Sequence, residues 1–295
     1  MATLREIRRR IRGIKSTQQI TKAMKMVAAA KMRRAQERMF NARPYAGKIK
    51  ELVEHLVLSS EGVQLPLLQE RPLRRLSLIV ITADRGLCGS FNSNIIKKTL
   101  GEFKGHKEME ISLLCIGRKG FDFFRKRNYT IARNYVNIFN ALEVSHANDI
   151  AGYAIEQFIE DKTDAVRIIY NQFKSVAQQA LVAEDLLPLK IHPPRESVSG
   201  EEYRRSIDYL YEPSKEELLK ALLPRHIRMQ IWRALLESEA SEQAARMMAM
   251  ENATANASEL IESLTLEFNK ARQASITKEI LEIVGGAEAL KKASA

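Results

Sequence analysis

The chain has 295 residues, 45% of them hydrophobic and 28% charged, which is enough for at least one buried core and leaves room for two modules. With 13 Gly and 8 Pro, a mean hydropathy of −0.27 and no apolar run near the roughly 20 residues that a bilayer demands, collagen-like, linker-like and membrane-spanning chains are excluded. The formal charge of +11 is unevenly spread: residues 1–50 hold 15 Lys and Arg against Glu6 and Glu37, a balance of +13, and the remainder of the chain sums to −2.

From Leu4 to Leu56 one spacing of alternating threes and fours runs without a break: Leu4, Ile7, Ile11, Ile14, Gln18, Thr21, Lys25, Ala28, Met32, Ala35, Met39, Ala42, Ala46, Ile49, Val53, Leu56. Sustained over seven heptads, it predicts a coiled-coil seam on a helix roughly 80 Å long at about 1.5 Å per residue. Pro44 falls inside it and is expected to bend it. An Arg-rich, acid-poor start also fits an organelle transit peptide, but the unbroken pattern reads as mature structure.

LPLLQERP (65–72) then opens a different grammar. RRLSLIVITADRG and MEISLLCIGRKG each put a β-branched apolar run before a glycine turn, and DAVRIIYNQF and QALVAEDLLPLKI are later strand candidates. Residues 92–104, 118–127 and 142–161 read as helices, so a sheet with helices on its faces is expected. IHPPRESVSG (191–200) closes this module. Helical periodicity resumes from about Lys215 to Val284, with seam positions Leu236, Ala240, Gln243, Met247, Met250, Thr254, Ala257, Ile261, Leu264, Phe268 and Ala271. Pro224 is an expected kink there and Gly285–Gly286 an expected stop. Neither long helix can bury its stripe alone, so the two chain ends are expected to pair antiparallel.

Chemistry is sparse. TADRGLCGSFN follows the first strand and opens a helix, where an α/β domain would cradle a phosphate. Its GxxG spacing matches neither GxGxxG nor GxxxxGK[ST], so a tight structural turn is the better reading. His55, His106, His146, His192 and His226 show no metal spacing. Cys88 and Cys115 form no CxxC pair; they are expected on neighbouring strands as buried thiols, which points to a reducing compartment. GxSxG is absent, and neither a catalytic group nor a cofactor site stands out. The basic first helix leaves three readings open: a nucleic-acid backbone, a solvated face, or a protein partner with apolar and acidic surfaces, the last favoured by Ile20, Met24 and Val27 beside the cations.

At QITKAMKMVAAAKMRRAQERM (19–39) the chain resembles the gamma subunit of the rotary ATP synthase. TADRGLCGSFN (82–92), DYLYEP (208–213), SEQAARMMAM (241–250) and FNKARQASITKEILEIVGGAEAL (268–290) are similar to the same family in the same order. The expected fold is therefore α/β plus a long antiparallel coiled coil: N- and C-terminal helices paired, with a Rossmann-like α/β domain inserted between them. The expected boundaries are 1–60, 73–195 and 208–295. The resemblance implies a non-catalytic central-stalk rotor inside a hexamer of alternating alpha and beta subunits, with epsilon and the membrane c-ring below. It implies no nucleotide, cofactor or metal on this chain, no nucleic acid and no insertion into the membrane.

It also implies roles for single residues. Met24, Lys22 and Lys25 fall where the family meets an acidic beta loop, with Glu242 and Arg246 in a polar network near the same level. Arg272, Gln273 and Thr277 fall at the beta catch loop, and Tyr209 and Glu212 at the c-ring loops. Residues 190–206 contain no cysteine, unlike the chloroplast form, and the first helix begins at once. Both features suggest a bacterial subunit, peripheral on the cytoplasmic side of the membrane. A basic coiled-coil protein that binds nucleic acid is the alternative.

Overall fold

The computed structural model describes residues 3–58, 65–106, 108–190, 212 and 214–293. Helix α1 runs Leu4–Leu58, followed by β1 (Arg75–Ile81), α2 (Phe91–Gly105), β2 (Glu110–Ile116), α3 (Arg118–Arg125), β3 (Ile131–Tyr135), α4 (Val144–Ile159), β4 (Ala165–Phe173), β5 (Gln179–Leu187) and α5 (Lys215–Ala293). The described chain falls into two compact units, residues 1–27 with 247–295 and residues 28–246.

Both long helices start where their sequences place a cap. The Thr3 backbone N–H donates to Glu6 Oε2 at 2.9 Å and the Glu6 N–H to Thr3 Oγ1 at 3.4 Å, a reciprocal capping box. Ser214 Oγ accepts the Glu217 N–H at 3.3 Å ahead of α5. All sixteen seam positions of α1 and all eleven of α5 are buried or half-buried, as a helix with one apolar stripe requires.

In the unit of residues 28–246 the sheet order is β3-β2-β1-β4-β5. β1 lies parallel to both β2 and β4, β2 parallel to β3, and β5 antiparallel to β4. The central strands are continuous apolar runs because both of their faces are covered. Leu76, Leu78, Val80, Leu113 and Cys115 pack beneath α2 and α3 with Phe91, Ile95 and Phe124. Ile79, Ile81, Leu114, Ile116 and Ile168 form the other core with α4 and with Met39, Val53, Leu223, Ile231 and Leu235 of the two long helices. Burying each such Leu, Ile or Val stabilises the fold by about 1.5–3 kcal/mol. Within this unit α1 and α5 run antiparallel: Arg38 lies 3.5 Å from Glu239, and Arg225 sits over the Tyr45 ring at 5.5 Å.

Several expectations are corrected. β3 was not anticipated; its five residues are mostly exposed and parallel-paired at the sheet edge, so they carry no apolar run to betray a strand. α5 continues through Gly285–Gly286 to Ala293. A glycine ends a helix only where the backbone must turn left-handed, and the helix-forming AEALKK that follows favours continuation. Pro44 and Pro224 lie inside α1 and α5, as the sequence places them. Cys88 sits in the loop after β1, not on a strand, and shares a core with Cys115 of β2. The stretch 191–200 lies outside the described residues.

Candidate functional site

In the unit of residues 1–27 and 247–295, the three polar positions of the α1 seam are consecutive, and each meets a polar partner on α5. Gln18 Nε2 donates to Ser258 Oγ, the Thr21 and Thr254 hydroxyls share a hydrogen bond, and Lys25 Nζ donates to Glu251 Oε1, each at 2.7 Å. The partner number falls as the α1 number rises, so the pairing is antiparallel, and Arg8 over the Phe268 ring at 5.3 Å continues it. Thr254 belongs to the α5 seam in sequence, whereas Ser258 and Glu251 stand one residue past seam positions and were missed for that reason. Beside this layer Lys22 is exposed and Met24 half-buried. Ile20, Met26 and Val27 each stand more than half exposed. By helical spacing Ile20, Met24 and Val27 lie on one flank of the seam, and Lys22 and Met26 on the other.

Further along α5, Ala271 is half-buried, and Arg272, Gln273 and Thr277 are exposed. Arg272 stands one residue past a seam position, as Glu251 and Ser258 do, and Thr277 Oγ1 donates to the Gln273 carbonyl at 3.0 Å. Every residue from 276 to 287 is exposed, including Ile276, Ile280, Leu281, Ile283 and Val284.

Glu242 and Arg246 lie in the other unit and face inward. Arg246 Nη1 meets Glu242 Oε1 at 2.6 Å and Nη2 donates to the Gly86 carbonyl at 3.2 Å. Burial pushes the Glu242 carboxyl up, Arg246 pulls it down, and nearby Asp84 raises it again. The loop they touch is built by its own hydrogen bonds. Asp84 Oδ1 accepts the backbone N–H of Arg118, the first residue of α3, at 3.0 Å and that of Asn137 at 2.8 Å. The chain's own carboxylate therefore occupies the helix start, where a bound anion would be favoured. Leu87 and Gly89 adopt φ of 63° and 56°, and Asn92 Oδ1 accepts the Ala83 N–H at 2.8 Å. Burial raises both thiols, Cys115 to about 12, which makes them poor nucleophiles.

Of the expected c-ring residues, Glu212 is exposed and Tyr209 lies outside the described residues. Among the described residues no group of three or more His, Cys, Asp or Glu could hold a metal, and no helix is long and apolar enough to cross a membrane.

The sequence model of the ATP synthase family matches residues 3–290. The ATP synthase gamma chain of Chloroherpeton thalassium is 49% identical over 306 aligned residues, covering all of both chains. That of Chlorobium limicola is 50% identical, covering 99% of this chain and 100% of the relative. Among solved structures, a chain of the Tetrahymena thermophila mitochondrial ATP synthase central stalk and c-ring matches with a TM-score of 0.61 at 30% identity, covering 79% of this chain and 99% of that one. A chain of the Euglena gracilis mitochondrial ATP synthase, with a TM-score of 0.67 at 23% identity and coverage of 98% and 94%, shares the fold.

Proposed function

Because the chain belongs to the gamma-chain family of ATP synthases, we propose that it turns as the central-stalk rotor inside a hexamer of alternating alpha and beta subunits. Residues 1–60 and 208–295 form the shaft, and residues 73–195 the module that meets epsilon and the membrane c-ring. The reading is carried by a family match that takes in both long helices and the sheet between them. The subunit is non-catalytic, and the nucleotide sites lie on beta. A shaft drives such sites only through contacts that differ with its angle, because a ligand equally compatible with every state shifts none.

Lys22, Met24 and Lys25, with Arg272, Gln273 and Thr277, face the beta subunits at two places along the shaft. Glu242 reaches a partner only through Arg246 and the 84–89 loop, since its own side chain is 7% exposed. Tyr209 and Glu212 meet the c-ring. The complex lies at a bacterial membrane with this subunit peripheral on the cytoplasmic side, and flow of protons or sodium ions through the c-ring drives it. A bead fixed to the α/β module of this chain, assembled with alpha and beta subunits on a surface, should turn in one direction on addition of ATP. A complex that hydrolyses ATP at full rate while the bead stays still would refute the rotor.

A further inference from the structure

Within the unit of residues 28–246, α5 is tied to the sheet by polar contacts that follow the order of its strands. Arg233 Nη2 donates to Glu184 of β5 at 2.7 Å, and the same carboxylate accepts the Tyr170 hydroxyl of β4 at 3.2 Å. Two turns on, the fully buried Ser241 hydroxyl donates to the Asn171 carbonyl of β4 at 3.0 Å. Arg246 then reaches the Gly86 carbonyl in the loop leaving β1. β5, β4 and β1 are neighbours in that order.

Between these ties the buried face of α5 mixes Ala234, Ala240 and Ala244 with the larger Leu235 and Leu236 and the polar Glu237, Ser238, Glu242 and Gln243. The apolar part of that burial is non-directional, so it sets the angle of the helix less sharply than hydrogen bonds do. Hydrogen bonds weaken steeply with angle, and charge-assisted ones are the stronger; two to the neighbouring strands β5 and β4 and a third to the loop leaving β1 define one setting. The arrangement is also costly. Arg233 Nε, Glu237 Oε2 and Ser238 Oγ are buried without a hydrogen-bond partner, and burial pushes the Glu237 carboxyl up. A polar face of this kind adds direction to the contact at some cost in stability.

We propose that Arg233, Ser241 and Arg246 are positioning residues that key α5 to the sheet at one angle, so that torque on the module reaches the helix without lag. The inference rests on the rotor reading above. It is tested in the complete complex by recording the angular fluctuations of a bead attached to exposed Lys104→Cys on α2, with the alpha and beta subunits held on a surface and rotation paused. Arg233→Met with Ser241→Ala should raise the angular variance above wild type and leave assembly and unloaded ATP hydrolysis at wild-type levels. Arg233→Lys, which keeps a charge within reach of Glu184, should return the variance toward wild type. An unchanged variance in the double variant overturns the proposal, and so does a lowered Tm with no change in variance, because the residues then only pack. Should the double variant fail to assemble, Ser241→Ala alone is measured by the same criterion. A wild-type bead that never turns refutes the rotor itself, whereas a turning wild type with variants of equal variance removes only the key.

Discussion

His226 on α5 is 7% exposed, and burial, aided by the charges of Lys50 and Arg233, pulls its imidazole down to about 4. In the unfolded chain a histidine titrates near 6.5, so between those values the unfolded state binds the extra proton and stability is lost as the pH falls. The loss between about pH 6.5 and 4 should approach ~3 kcal/mol. Denaturant melts across that range should show a flatter dependence for His226→Gln. Asp164 works lower on the scale. The Arg75 side chain and the backbone N–H groups of Arg74 and Arg75 hold its carboxyl below the usual range against the opposing effect of burial. Its contribution is therefore complete above the ordinary carboxylate range and is lost only as the pH falls through the lowered value.

At the scale of elements, the layer of Gln18, Thr21 and Lys25 interrupts an otherwise apolar seam. Polar seam positions fix register at some cost in stability, and a slip by one heptad would set Thr21 against Ile261 or Met247. Thr21→Val alone should destabilise by about 0.5–1.5 kcal/mol by leaving the Thr254 hydroxyl one partner short. The pair Thr21→Val with Thr254→Val should come out close to neutral, since both partners are then replaced by groups of the same shape. A double-mutant cycle by thermal melting measures the difference, and strictly additive effects would show that the two hydroxyls act separately. The seam was legible in sequence because its period repeats over many turns, and the central strands because they are buried on both faces. β3 was not, having neither period nor apolar run. The Arg246–Gly86 and Arg233–Glu184 ties were equally hidden: they join residues 160 and 49 positions apart, a pairing that only the sheet order brings about. Lys22, Arg272 and Gln273 look like ordinary solvated residues in the pattern, and resemblance alone singled them out.

For the whole molecule, Arg272 and Gln273 test whether the shaft's outer face couples to its surroundings. Both are exposed on this chain alone, so Arg272→Leu and Gln273→Leu should leave its fold and Tm unchanged. In the complex, a charge-assisted hydrogen bond from Arg272 to a beta carboxylate would contribute roughly 1.5–3 kcal/mol. Assembly or ATP hydrolysis per assembled complex should therefore fall in each variant, and wild-type behaviour in both would remove them from the interface. The stretch from 276 to 287 has a different consequence. Five large aliphatic side chains, Ile276, Ile280, Leu281, Ile283 and Val284, stand in water when the subunit is alone, a pattern that promotes aggregation. The free subunit is therefore expected to self-associate through this stretch. Light scattering of the free subunit should show association that Ile280→Lys with Ile283→Lys lowers, and equal association in that variant would show that the exposed stretch is not the cause.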